Sequence, residues 1–197
     1  MRKEELRQQM RQIKRQFTPR QLEELSLPIV ARLRERLKDA QIIVAYYPLP
    51  DEVDIRSLLD DLVAEGKIVL LPKVTGETTM ELRRYTGQQD LCEGAFHIME
   101  PIGENHGDFP CDSSVAKIKG TVSVILVPGV AFDAAGHRLG RGRGYYDCFL
   151  NTVGTVLLRQ DSLTQKNRPS VLGVCFDFQK VAEVPTDEHD IPVDEVI

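Results

Sequence analysis

Apolar residues recur at helical spacing early in the chain and in short unbroken runs later. Leu6, Met10, Ile13 and Phe17 lie four, three and four residues apart, so residues 2–17 are expected to form an amphipathic helix with these side chains on one face. Thr18-Pro19-Arg20-Gln21 reads as a capping box with proline at the first helical position. It predicts a second helix to about Lys38, burying Leu22, Leu25, Ile29 and Leu33. Beyond residue 40 the pattern changes. Ile42–Tyr47 is a short apolar run stopped by Pro48 and Pro50, and predicts a buried strand. Asp54–Glu65 predicts a helix ended by Gly66. Ile68–Leu71, Val122–Val127 and Val171–Phe176 predict further buried strands, with Val171–Phe176 as the last. Met80–Tyr85 alternates weakly and reads as an edge strand. Residues 86–118 are rich in turn formers and give no clear element. A helix is expected to begin within 142–152.

Short apolar strands alternating with helices indicate an α/β fold: three layers, a mainly parallel sheet and helices on both faces. A length of 197 residues, without repeats or a low-complexity linker, suits a single domain over 1–197. No stretch approaches the roughly 20 apolar residues of a membrane span, and the charged start has no apolar leader core. The expectation is a cytoplasmic protein with no membrane association. The four cysteines, Cys92, Cys111, Cys148 and Cys175, have no CxxC or zinc-ligand spacing, so free, reduced thiols are expected. The net charge of −5 conceals an asymmetry. Residues 1–38 carry eleven Lys/Arg against five Asp/Glu, whereas residues 181–197 carry six acids and no Lys or Arg. The two ends can attract each other, or frame a site with phosphates at one end and a metal ion at the other.

The informative segment runs from Val127 to Asp147 and leaves the carboxyl end of a predicted central strand, where ligands bind in open α/β sheets. Gly140, Gly142 and Gly144 alternate with Arg141 and Arg143. The glycines let backbone N–H groups approach an anion; the arginines add forked cationic donors suited to phosphate oxygens. A helix starting near Tyr145 adds its N-terminal dipole. The segment lacks the Walker pattern and the dinucleotide fingerprint. A solvated Gly/Arg turn or an RGG-like nucleic-acid segment is the alternative, but a buried strand and aromatic residues flank this one.

The segment Pro128-Gly129-Val130-Ala131-Phe132-Asp133, followed by Arg138-Leu139-Gly140-Arg141-Gly142-Arg143-Gly144-Tyr145-Tyr146-Asp147, closely resembles the hallmark of the 5-formyltetrahydrofolate cyclo-ligases. Lys3-Glu4-Glu5-Leu6-Arg7 is similar to that family's N-terminal motif. Tyr47-Pro48-Leu49-Pro50-Asp51-Glu52-Val53-Asp54 is similar to one of its loops. Leu71-Pro72-Lys73, Met99-Glu100-Pro101, Gly173-Val174-Cys175-Phe176, Gln179, Val184-Pro185 and His189-Asp190 follow in the family's order. The likeness spans nearly the whole chain and implies the fold of the phosphosugar isomerase and coenzyme A transferase-like group. The implied reaction is ATP-dependent closure of 5-formyltetrahydrofolate to 5,10-methenyltetrahydrofolate, with release of ADP and phosphate. The formyl oxygen is phosphorylated and N10 then closes the ring.

By resemblance, Lys3, Arg7, Arg138, Gly140, Arg141, Gly142, Arg143, Gly144, Tyr145 and Tyr146 hold the nucleotide. Arg141, Arg143 and Tyr145 are the expected catalytic groups. Glu52 and Tyr146 meet the folate, and Asp147 and Asp190 hold magnesium. Plainer readings stand beside these. Lys3 and Arg7 also fit a solvated basic face with Arg11 and Lys14. Tyr146 fits the core, Glu52 a cap, Asp147 a helix-start carboxylate, and Asp190 an exposed tail. The resemblance implies a monomer with a small-molecule substrate and no nucleic-acid partner. Two rivals remain: a non-catalytic RNA-binding relative, and an ATP-dependent enzyme of the same fold acting on another small molecule.

Overall fold

A computed structural model describes residues 2–76, 80–94, 99–103, 105–109, 122–151 and 168–197. The first helix, α1 (Lys3–Lys14), stops three residues before the expected end. There the Gln16 and Phe17 amides turn to carbonyls only three residues back. Thr18 then caps α2 (Pro19–Arg36) as its sequence predicts. Its hydroxyl accepts from the Gln21 amide at 3.3 Å, while the Gln21 carboxamide oxygen accepts from the Thr18 amide at 2.8 Å. The buried stripe of α2 is Leu22, Ser26, Ile29 and Leu33, and Leu25 faces outward, contrary to expectation. Ser26 is tolerated inside because its hydroxyl donates to the Leu22 carbonyl at 2.8 Å and accepts from the Asp54 amide at 2.9 Å.

The strands are β1 (Ile42–Val44), β2 (Ile68–Val74), β3 (Met80–Tyr85), β4 (Leu91–Glu93), β5 (Met99–Pro101), β6 (Asn105–Phe109), β7 (Val124–Pro128), β8 (Ala131–Phe132), β9 (Arg138–Leu139), β10 (Ser170–Val174) and β11 (Glu195–Val196). Between β1 and β2 lies α3 (Arg56–Ala64). It begins later than expected because the Asp54 carboxylate accepts the Arg56 amide, which makes Asp54 a turn residue. Gly66, at φ +81°, ends this segment as its sequence suggests. Seven strands form one sheet in the order β11-β10-β7-β1-β2-β3-β6. Neighbours from β11 to β2 are parallel; β3 and β6 are antiparallel additions. Two expectations change here. β3 has partners on both sides, so β6 is the edge. The last strand is β11, supplied by the acidic tail through parallel pairing with β10.

Side chains alternate along the central strands and create two cores. Ile43, Val69, Leu71, Leu126 and Leu172 meet α2 and α3 on one face. Ile42, Val44, Leu70, Ile125 and Val127 meet Phe132, Phe149 and Leu150 on the other, the last two from a helical segment over 145–151. The expected three layers are therefore present. Helix α1 lies apart, packing Leu6 and Met10 on Ala131, Leu139 and Val184. Leu33 is fully buried between α2 and the sheet. Leu33→Ala is expected to cost about 2–5 kcal/mol of stability, read from the midpoint of urea unfolding.

Candidate active site

The chain leaves β1 toward β2 on one side and returns to pair β7 on the other. This reversal opens a crevice beyond the carboxyl ends of β1 and β7. The loops that follow these strands carry the two most distinctive motifs of the sequence. A cavity of about 410 Å³ lies there. Tyr46, Tyr47, Leu49 and Glu52 line it from the β1 side, and Arg138, Arg141, Arg143, Gly144, Tyr145, Tyr146 and Asp147 from the β7 side. Pro72, Val74, Met80, Met99 and Glu100 complete an apolar wall with one acid in it.

The glycine-rich loop hangs from the β8–β9 hairpin, which the buried carboxylate of Asp133 holds together. One Asp133 oxygen accepts the Ala135 and His137 amides, each at 3.0 Å. The other accepts the Val184 amide at 3.0 Å and lies 3.0 Å from His137 Nδ1. Desolvation works to raise the Asp133 pKa, but the Val184 amide and His137 outweigh it and hold the carboxyl below its ordinary 3.8. Gln179, also buried, donates to the carbonyls of Gly129 and Val130 at 2.8 and 2.9 Å. Gly142 and Gly144 have φ of +106° and +70°, a region that disfavours any other residue.

Each site cation described here meets a named partner. Arg138 is 5% exposed and donates to Asp147 Oδ1 at 2.8 Å, with its guanidinium carbon 5.5 Å from the centre of the Tyr146 ring. Its Nε is buried without a hydrogen-bond partner among the described residues. Arg141 donates to Asp51 at 2.6 Å and to Glu52 Oε1 at 3.0 and 3.2 Å. Arg7 donates to the Gly140 carbonyl at 2.9 Å. Lys3 lies 2.5 Å from Asp190 and 2.6 Å from Asp187. Desolvation works to lower the Lys3 pKa, but these two carboxylates outweigh it and raise it. Tyr145 donates to the Gly76 carbonyl at 3.2 Å. Burial pushes the Tyr146 phenol up, aided by the Glu52 charge and opposed by Arg138.

The profile of the 5-formyltetrahydrofolate cyclo-ligase family matches residues 1–197. The chain belongs to this family. It is 29% identical to the mouse 5-formyltetrahydrofolate cyclo-ligase, over 98% of this chain and 89% of that one. The *Escherichia coli* K12 5-formyltetrahydrofolate cyclo-ligase is 28% identical, over 95% of each chain. The solution structure of 5,10-methenyltetrahydrofolate synthetase from *Aquifex aeolicus* superposes with a TM-score of 0.75 at 34% identity, covering all of this chain and 89% of that one. A *Mycoplasma pneumoniae* 5,10-methenyltetrahydrofolate synthetase shares the fold at a TM-score of 0.68 and 22% identity, covering 100% and 98%.

In this cyclo-ligase family member, Glu52, Arg138, Arg141, Arg143, Gly144, Tyr145, Tyr146 and Asp147 of the predicted residues line the crevice. Arg7 reaches the glycine-rich loop at the Gly140 carbonyl, and Lys3 meets Asp190 outside the lining. The segment that carries Asp190 reaches Asp147 through the Ile191 amide, which donates to Asp147 at 3.4 Å. Several features escaped sequence reading. Lys14 is buried, not solvated, and donates to the Asp51 carbonyl and carboxylate at 2.6 and 3.1 Å. Asp133 carried no expected role. Glu100, in a turn-rich stretch, lines the cavity. Cys148 is disulfide-bonded rather than free, and no local spacing announces that pairing. Cys92 and Cys175 are free, and burial pushes the Cys175 thiol up to about 12.

A carboxyl held below its ordinary pKa contributes stability above that value and loses it as the pH falls through the folded pKa. Asp133→Asn is therefore expected to destabilise the protein at neutral pH. Its deficit should close as the pH drops below 3.8, which urea unfolding at a series of pH values reads directly.

Proposed function

We propose that this chain converts 5-formyltetrahydrofolate to 5,10-methenyltetrahydrofolate, coupled to hydrolysis of ATP to ADP and phosphate. One observation carries the reading beyond family membership: a single crevice juxtaposes guanidinium groups suited to phosphates with an apolar, aromatic wall suited to a pterin. The buried, unpartnered Arg138 Nε supports it, since an orphan donor in such a place calls for an acceptor.

In this reading Lys3, Arg7, Arg138, Arg141, Arg143 and the backbone from Gly140 to Gly144 cradle the phosphates, with Tyr145 and Tyr146 beside them. The formyl oxygen of the substrate attacks the γ-phosphorus as the bond to ADP breaks. N10 then attacks the formyl carbon, phosphate departs with the oxygen, and the N10 proton leaves with it. Arg141 and Arg143 neutralise charge on the transferring group, and Tyr145 positions it. Glu52 accepts hydrogen bonds from the amino-pyrimidine edge of the pterin. Its Oε1 is held by Arg141 and its Oε2 by the Leu49 amide at 3.0 Å, so phosphate capture of Arg141 releases one of its oxygens.

Magnesium suits the carboxylates of Asp147 and Asp190, hard oxygen donors on two segments linked by the Ile191 amide. When bound there it would neutralise phosphate charge. Among the described residues no group of three or more His, Cys, Asp or Glu forms a self-sufficient metal cage, and the set fits a cation completed by the nucleotide. The same reading makes the chain a single-domain cytoplasmic monomer without a nucleic-acid partner. Among the described residues no helix is long and apolar enough to cross a membrane.

The test is formation of methenyltetrahydrofolate, followed by absorbance, from 5-formyltetrahydrofolate, Mg²⁺ and ATP. Product formation should require ATP and fall about 100-fold or more in Arg141→Ala. A folded wild type that forms no product would remove the reading.

A further inference from the structure

Glu100 is the one acid of the cavity wall that the proposed reaction has not used. It sits on β5 and is 5% exposed. Its neighbours across the cavity wall include Val74, Met80 and Met99. Among the described residues its one hydrogen bond is long: Oε1 accepts the Val74 amide at 3.3 Å. The other cavity carboxylates differ. Glu52 is paired with Arg141, and Asp147 with Arg138. Glu100 has no cation within ion-pair distance among the described residues. The space it fills is cut to its shape: a side chain on Gly94 would bring a Cβ 2.1 Å from Glu100 Oε2.

A buried carboxylate without a cation is costly, and such groups persist where they meet a charge supplied from outside. The proposed reaction supplies one. The substrate carries a neutral N5-formyl amide. Phosphorylation of the formyl oxygen makes the N5–carbon unit an iminium; attack by N10 and loss of its proton quench that charge, and departure of phosphate restores it as an amidinium delocalised over N5, the carbon and N10. A positive charge thus develops, and persists in the product, where the substrate has none, in a crevice whose phosphate-facing groups are cationic and would oppose it. We infer that Glu100 is the counter-ion for the cation that ring closure creates, a role that rests on the functional reading above. Its fixed charge in an apolar wall acts most strongly as the amidinium develops and least on the neutral substrate, the differential that lowers a barrier.

The experiment compares wild type with Glu100→Gln, which keeps shape and the acceptor oxygen but loses the charge. Two quantities are read: kcat with KM for ATP, and the ratio of affinities for methenyltetrahydrofolate and 5-formyltetrahydrofolate. Affinities come from equilibrium dialysis without ATP at mildly acidic pH, where the cation persists. Glu100→Gln is expected to lower kcat about 10- to 100-fold, leave KM for ATP unchanged, and reduce the preference for the cation about tenfold. Glu100→Asp, which keeps the charge, should recover part of both. If Glu100→Gln does not fold, Gly94→Ala, which crowds the carboxylate from its seat, should shift both quantities in the same direction. An unchanged affinity ratio in a folded variant overturns the inference, even if kcat falls. Failure of wild type to form product removes the functional reading instead, and the dialysis ratio tells the two failures apart.

Discussion

The site depends first on the carboxylate of Asp133. A hairpin as short as β8–β9, with two residues in each strand, has little pairing of its own. Asp133 supplies what the ladder lacks by gathering the Ala135, His137 and Val184 amides and the His137 ring around two oxygens. Val184 belongs to the segment after β10, so the same carboxylate fixes the hairpin to the returning chain. Arg138 leaves directly from this hairpin, and α1 packs on its outer side. The direction of the glycine-rich loop and the seat of the N-terminal helix therefore share one anchor.

From that anchor the electrostatics follow. Arginines concentrated in one loop would repel each other unless each found an acid, and the surrounding segments provide them. The β1 loop gives Asp51 and Glu52 to Arg141, and the start of the 145–151 helix gives Asp147 to Arg138. Such pairs are worth little where exposed, and their burial is not a source of stability by itself. Their effect is to hold the cationic groups in place and to leave the paired part of the loop near-neutral.

Much of this was legible in the sequence, for physical reasons. Period-2 burial in strands walled on both faces produces short apolar runs, which is why β1, β2, β7 and β10 were visible, though not to the residue. The capping box at Thr18 is a local signal and was read correctly. The glycine–arginine alternation has few other uses beside a buried strand, so the crevice was placed before its shape was known. What was not legible depends on residues distant in sequence. Ser26 takes the inward position and Leu25 the outward one because the Ser26 hydroxyl accepts the amide of Asp54, in the turn before α3. Lys14 is buried because Asp51 receives it. β11 is a strand only because β10 presents an edge to it. Glu100 lies in a stretch without periodicity, and its burial is set by β2 and by the glycine opposite.

Lys3 and Asp190 are separated by 187 positions and meet where α1 approaches the chain's acidic end. No local segment can make such a contact, and the entropy of closing so long a loop must be met before the contact returns anything. One partly exposed ion pair is too weak to do so. The closure is carried instead by β11 in the sheet and by α1 on the hairpin, and the ion pair is a passenger of both. Ligand competence is consequently a property of the cooperatively folded whole. Fraying at either extremity breaks this contact while most of the sheet is still intact, so the two ends should separate before secondary structure is lost as the protein unfolds.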